Sequence, residues 1–184
     1  MGFLTFCLNV TLDGCCDHRA AIADDEMLDH FTRLIGTAGA MLYGRTTYEL
    51  MEAYWPGVAR DEKASRADGE WARALDAMPK YVVSASRSDF PWANSFHLKG
   101  DLTEAVTQLK ERTPKGVLVG SPMLSAALEQ LGLIDEYHLV VHPVLAGHGP
   151  HLFEGLQRPR HLELVSTTRL KSGVTPMHYR RKAG

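Results

Sequence analysis

The feature that most constrains this chain is a joint that recurs along it: a short β-rich apolar stretch runs into a small-residue turn, and a helix-like segment follows. The clearest case is Ala40-Met41-Leu42-Tyr43-Gly44-Arg45-Thr46-Thr47-Tyr48-Glu49. Lys80 to Ser84 leads into Ser84-Ala85-Ser86-Arg87-Ser88, and Gly116 to Val119 leads into Gly120-Ser121-Pro122. Strands alternating with helices require a largely parallel sheet covered on both faces. In such sheets ligands bind outside the carboxyl ends of the strands, where all three joints lie. Each joint alone also fits an ordinary α/β turn. Their convergence is what argues for a shared nucleotide or dinucleotide cleft.

The chemistry of the joints suits phosphate. Gly44 lets the backbone approach a ligand closely, and Thr46 or Thr47 can cap the helix that follows. A helix start offers unpaired N–H groups and the positive end of the helix dipole. Arg45 adds a guanidinium able to bond two phosphate oxygens. The hydroxyls of Ser84 and Ser86 with Arg87 suit a phosphate monoester, although a solvated turn has the same composition. At the third joint Ser121 is placed as a cap, Pro122 at the first helical position, and Gly132 past the end.

The remaining elements follow from periodicity. Phe3 to Val10 reads as a strand buried on both sides, with Asn9 and Asp13 as polar groups near its carboxyl end. Asp24 caps a helix whose Met27, Leu28, Phe31, Leu34 and Ile35 recur at helical spacing, with Asp25 and Glu26 in its first turn. Tyr54-Trp55-Pro56-Gly57 reads as a helix breaker, with a new helix from about 61 to 78. Trp55 fits either core packing or the wall of a heterocycle pocket. Asn94 to Leu98 is a short strand, and Asp101 with Glu104 forms a capping box. Tyr137 to Leu145 is a strand whose Pro143 suggests an edge or a bulge. His161 to Leu170 and Val174 to Arg181 close the chain as an antiparallel hairpin.

At 184 residues, one domain over 1–184 is expected, with no linker or repeat. The net charge of −2 gives no reason to expect nucleic acid or a membrane surface as partner. No apolar run nears the roughly 18 residues of a membrane helix, and a basic signal start is lacking, so cytoplasm is expected. Cys15-Cys16-Asp17-His18 lacks the spacing that brings two thiolates to one zinc, and no metal is expected. A homodimer is expected because the late hairpin and the Pro143 strand leave an apolar sheet edge.

Taken in order, the motifs resemble a known family. They are Thr11-Leu12-Asp13-Gly14, Gly44-Arg45-Thr46-Thr47-Tyr48-Glu49, Val82-Val83-Ser84, Gly132-Leu133-Ile134-Asp135-Glu136, Pro143-Val144-Leu145-Ala146-Gly147-His148-Gly149, Leu152-Phe153 and Ser172-Gly173-Val174. The family is the dihydrofolate reductase fold, and within it the reductase domain at the carboxyl end of bifunctional riboflavin biosynthesis proteins. The resemblance implies a three-layer α/β/α fold with a mixed, mostly parallel sheet and NADPH as cofactor. It places Gly44, Arg45, Thr46 and Thr47 at the cofactor's phosphates, and Ser84 with Ser86 or Arg87 at its 2′-phosphate. Gly120, Ser121, Pro122 and Met123 would pass under the pyrophosphate and nicotinamide. A bond from Arg87 worth ~1.5–3 kcal/mol would favour NADPH over NADH roughly tenfold to a hundredfold.

Three positions depart from the pattern. The acid expected four residues before Phe31 is Met27, with Asp25 or Glu26 out of register by about 100° per residue. The lysine expected six residues before the Asp-Gly turn is Cys7, and Gly120-Ser121 replaces paired glycines. The expected activity is hydride transfer from NADPH to a pyrimidine- or pteridine-like heterocycle or its ring-opened sugar adduct, of the 5-amino-6-(5-phosphoribosylamino)uracil reductase type. Asp13, Asp25 and Glu26 are the candidate acids, with Asp13 first; Asn9, Tyr48 and Trp55 are the expected substrate neighbours. Dihydrofolate reductase-type activity and a catalytically lapsed dinucleotide-binding module are the alternatives.

Overall fold

The computed structural model describes residues 1–182. Eight strands form one sheet: β1 (Leu4–Thr11), β2 (Ala40–Gly44), β3 (Lys80–Val83), β4 (Ser95–His97), β5 (Val117–Val119), β6 (Glu136–His142), β7 (Leu162–Thr167) and β8 (Thr175–Arg181). Their order is β4-β3-β2-β5-β1-β6-β8-β7. Strands β1 to β6 run parallel, and β8 pairs antiparallel with both β6 and β7. The architecture is the expected mixed, mostly parallel sheet with a closing antiparallel hairpin.

Two helical layers cover it, as parallel strands demand. On one face α1 (Asp25–Gly36), α2 (Arg45–Arg60) and α3 (Arg66–Ala77) pack over Cys7, Met41, Tyr43, Val82 and Leu118. On the other face α4 (Leu102–Arg112) and α5 (Pro122–Gln130) bury Val106, Leu109 and Leu128 against Leu4, Phe6, Leu42, Val117 and Val119. In β1 the alternation is direct, with Leu4 and Phe6 on the second face and Cys7 on the first. Phe3 lies outside the strand and is half exposed, with Arg180 over its ring. Among the described residues no helix is long and apolar enough to cross a membrane.

Several helix boundaries follow local chemistry. Asp24 Oδ1 accepts from the Met27 amide at 2.7 Å, and Asp101 Oδ1 from the Thr103 and Glu104 amides at 2.9 and 3.1 Å. The expected break at Tyr54-Trp55-Pro56-Gly57 does not occur: α2 runs through Pro56 to Arg60. Pro56 removes one backbone donor from the helix, but Trp55 packs edge-to-face on Trp71 of α3, with centroids 6.2 Å apart, and holds the turn in place. The next helix therefore starts later than expected, at Arg66, where Ser65 accepts from the Asp68 amide at 3.1 Å. Nor does Pro143 mark an edge. It follows β6, which lies inside the sheet between β1 and β8.

The strand that carries Ser84 is anchored by a buried lysine. Lys80, at the start of β3, has no exposed surface, and its ammonium donates to the carbonyls of Leu75, Asp76 and Met78 at 2.6, 3.2 and 2.7 Å. It thereby closes the carboxyl end of α3 and lies 4.5 Å from the centre of the Trp92 ring. Burial pulls its pKa down to about 8. Lys80→Met would leave those carbonyls without their donor, and urea unfolding should show a loss of about 1–3 kcal/mol.

Candidate functional site

The carboxyl ends of β3, β2, β5 and β1 lie side by side. Gly44 stands opposite Val83, and Leu42 opposite Val119, so the corners at Ser84 and Gly120 flank Gly44. The Gly44 amide donates to Ser121 Oγ at 2.9 Å, and Ser121 is almost wholly buried. The three sequence joints are thus brought together on one edge of the sheet. A Cβ at Gly120 would stand 3.2 Å from the Cys7 carbonyl, so a side chain here would press on β1 and require it to give by a few tenths of an ångström. Cys7 itself is buried, and burial pushes its thiol up to about 12.

The helix starts differ according to where they lie. Asp24, Ser65 and Asp101 cap α1, α3 and α4 with side-chain bonds, whereas α2 and α5 open at this edge with none. Neither Thr46 nor Thr47 caps α2, because the cap position is Gly44 and both threonines lie in the first turn. Ser121 does not cap α5 either, since its hydroxyl is turned to Gly44. Two neighbouring helix amino termini therefore keep their first-turn N–H groups free of side-chain partners, which suits a phosphate. Arg45 and Thr46 are exposed beside them, with Arg45 3.2 Å from Glu49. Pro122 is half buried, while Met123 is 86% exposed at the start of α5.

The corner after β3 is more self-contained than its composition suggested. Ser84 Oγ accepts from the amides of Arg87 at 2.9 Å and Ser86 at 3.3 Å, closing the turn. Ser86 is exposed. Arg87 makes a two-pronged bond to Glu52, at 2.8 and 3.0 Å, and a third bond to the Asp89 carbonyl at 2.7 Å.

Two of the three candidate acids have separate structural duties. Asp13 accepts from the Thr11 hydroxyl and from the amides of Ala146 at 3.1 Å and Gly147 at 2.7 Å. These bonds hold its carboxyl well below the usual range, the Thr11 bond being the largest cause. At neutral pH Asp13 is an anion that fastens the 146–147 loop to the end of β1, and it has no proton to give. Asp25 is exposed at the first position of α1, and Glu26 accepts from the Lys171 amide at 2.7 Å in the closing hairpin. Met27 is buried with Val140, Leu170 and Val174.

Of the three expected substrate neighbours, the geometry favours one. Tyr48 has no exposed surface, and its hydroxyl bonds Ser95 and the Trp92 amide, which makes it core rather than pocket wall. Trp55 is committed to Trp71 and Tyr54. Asn9 remains, half buried near the end of β1, with its Oδ1 2.9 Å from Nε2 of His142. His142 was not singled out in the sequence, where it is one of two histidines, with His138, in the stretch from Tyr137 to Leu145. It is fully buried, and the Ile22 amide donates to its Nδ1 at 2.9 Å. An accepting Nδ1 leaves the proton on Nε2, which must donate to Asn9 Oδ1. Burial lowers the His142 pKa and keeps the ring neutral. With its Oδ1 on His142, Asn9 makes no hydrogen bond through its amide nitrogen to the described residues.

A cavity of about 370 Å³ opens at the opposite, amino end of the sheet, lined in part by Thr5, Leu34, Lys115, Glu136, His138 and His178. It lies away from the strand ends that carry the glycine and serine corners.

Comparison with known proteins fits this geometry. The family model for the RibD C-terminal domain matches residues 3–175. The chain belongs to that family. A relative from Bacillus subtilis (strain 168), the uncharacterized protein YyaP, is 29% identical over 176 residues, covering 94% of this chain and 91% of its own. Two solved structures share the fold. One is a diaminohydroxyphosphoribosylaminopyrimidine deaminase/5-amino-6-(5-phosphoribosylamino)uracil reductase from Thermotoga maritima, with TM-score 0.67 and 19% identity. It covers 98% of this chain, which spans 57% of the Thermotoga protein. The other is the dihydrofolate reductase of Enterococcus faecalis, complexed with NADP(H), with TM-score 0.65 and 12% identity over 99% of this chain and 98% of its own. The RibD C-terminal family and the dihydrofolate reductase-like fold implied by the sequence are both present.

The role of Asp13 can be checked directly. Its folded carboxyl titrates below the unfolded value of about 3.9, so its hold on the loop is complete above that value and is lost only as pH falls through the lower folded one. Asp13→Asn should speed hydrogen exchange at the Ala146 and Gly147 amides at neutral pH, while the unaltered protein keeps them protected down to about pH 4.

Proposed function

We propose that this chain is an NADPH-dependent reductase acting on a pyrimidine- or pteridine-like heterocycle, of the 5-amino-6-(5-phosphoribosylamino)uracil reductase type. The observation that carries the proposal is the pair of adjacent helix starts, α2 and α5, left without side-chain caps and joined by the Gly44–Ser121 bond. They fit the pyrophosphate of a dinucleotide, and Arg45 adds charge at their rim. When bound, NADPH supplies the hydride. The chain's own part is to hold and orient. Amides of the first turns of α2 and α5 hold phosphate oxygens, and Gly120 lets β5 lie close beneath. Asn9, oriented by His142, offers an N–H to a carbonyl or ring nitrogen of the acceptor.

A second reading, a dinucleotide-binding module without turnover, is favoured by one observation: Asp13 and Glu26 are both committed to backbone amides elsewhere in the fold. Dihydrofolate reductase-type activity is disfavoured by buried, apolar Met27 at the acid position. Titration with NADPH, followed by screening for acceptor-dependent NADPH oxidation, separates them. Saturable binding with oxidation in the presence of a pyrimidine acceptor supports the reductase, and Arg45→Ala should weaken NADPH binding about tenfold. Binding without oxidation by any acceptor supports the module, and oxidation with dihydrofolate alone would move the assignment to folate reduction.

We also propose a homodimer, through the outer face of the closing hairpin. Leu164 and Val165 are 49% and 47% exposed on β7, the edge strand. The register shift between Leu164 and Ser166 disturbs the edge for backbone pairing, so side chains make the contact. Light scattering after size exclusion should give twice the chain mass, and Val165→Lys should return the monomer.

A further inference from the structure

The turn after β3 has the makings of a receptor for a phosphate monoester, but its cation already has a partner inside the protein. Ser84 and Ser86 supply hydroxyls, and Arg87 supplies the guanidinium. The NH1 and NH2 groups of Arg87 are both taken by Glu52, at 2.8 and 3.0 Å, in the fork-to-fork geometry that a phosphate would otherwise use. Its Nε is taken by the Asp89 carbonyl, and its plane lies 5.4 Å from the rings of both Tyr48 and Phe90. With its fork on Glu52 and its Nε on the Asp89 carbonyl, the guanidinium cannot offer that fork to a second partner without first releasing Glu52. Nor does a neighbouring cation compensate, since Arg45 faces Glu49, which also stands 3.6 Å from Arg87. Two arginines and two glutamates make this corner neutral. A phosphate dianion entering it meets a filled fork and a repelling carboxylate, which is discrimination by an unfavourable contact.

We propose that Glu52 sets the coenzyme selectivity of this chain. By occupying Arg87 it cancels the preference for a 2′-phosphate that the serine–arginine turn would otherwise confer, so that NADPH and NADH bind about equally well. This rests on the dinucleotide site proposed above and widens its hydride donor from NADPH to either coenzyme. It also replaces the tenfold to hundredfold preference for NADPH expected from Arg87 in the sequence, because that expectation left Arg87 without a partner.

The test is equilibrium titration of three proteins with NADPH and with NADH: the unaltered chain, Glu52→Gln, and Glu52→Gln combined with Arg87→Gln. The unaltered chain should bind the two coenzymes within about threefold of each other, and Glu52→Gln should tighten NADPH about tenfold or more while moving NADH less than about twofold. The double variant should lose that gain. A gain that survives loss of Arg87 would reflect only the removal of a negative charge, and would overturn the proposal. So would a strong NADPH preference in the unaltered chain that Glu52→Gln leaves unchanged. If both coenzymes bind all three proteins with the same ratio, the role of Glu52 fails and the dinucleotide site stands. If neither coenzyme binds any of the three, the site and the selectivity fail together.

Discussion

The hydrogen bond from the Gly44 amide to the buried Ser121 hydroxyl is the contact on which the site's arrangement depends. It spans 77 residues of sequence and links the last residue of β2 to the residue before α5. The hydroxyl that could have capped α5 is spent on a neighbouring corner, and one polar group thereby accounts for two features. The corners are drawn together, and α5 begins with its amides unclaimed. With glycine in place of Ser121, the backbone could come closer to a ligand, but the cross-tie would be gone. The serine therefore exchanges room for rigidity at the point where β2 and β5 turn into their helices.

Around that tie the fold uses its acids to hold loops and side chains in place. Asp13 grips the 146–147 loop, Glu26 grips the closing hairpin, and Glu52 grips Arg87. Two of the three candidate proton donors, Asp13 and Glu26, thus hold distant parts of the chain in place. Such an arrangement suits chemistry in which a coenzyme carries the reactive bond and the protein sets distance and angle.

How much of this was legible in the sequence depended on how far apart the interacting residues lie. Asp24 and Asp101 cap helices whose first amides are two or three residues away, and both were readable. The three corners were readable because strand periodicity and small turn residues sit next to each other in the chain. Pro56 misled because the packing that sustains α2 comes from Trp71 on another helix. Asp13 meets Ala146 at a separation of 133 residues, as His142 meets Asn9, and Arg87 meets Glu52 across 35. Local pattern shows which side chains carry charge or hydrogen-bonding groups. It does not show which of those groups a distant part of the chain has already taken. Tyr48 belongs with these, since a tyrosine in the first turns of a helix looks the same in sequence whether its ring meets ligand or core.

The path from the Ile22 amide through His142 to Asn9 gives the end of β1 a direction. An isolated asparagine can rotate by half a turn and greet either a donor or an acceptor, whereas this one is locked. A heteroaromatic ring that can exist as lactam or lactim would on this view be sorted at Asn9. In the reductase proposed above, a carbonyl or unprotonated ring nitrogen at that point would accept the Asn9 N–H, whereas a ring N–H would meet it hydrogen to hydrogen.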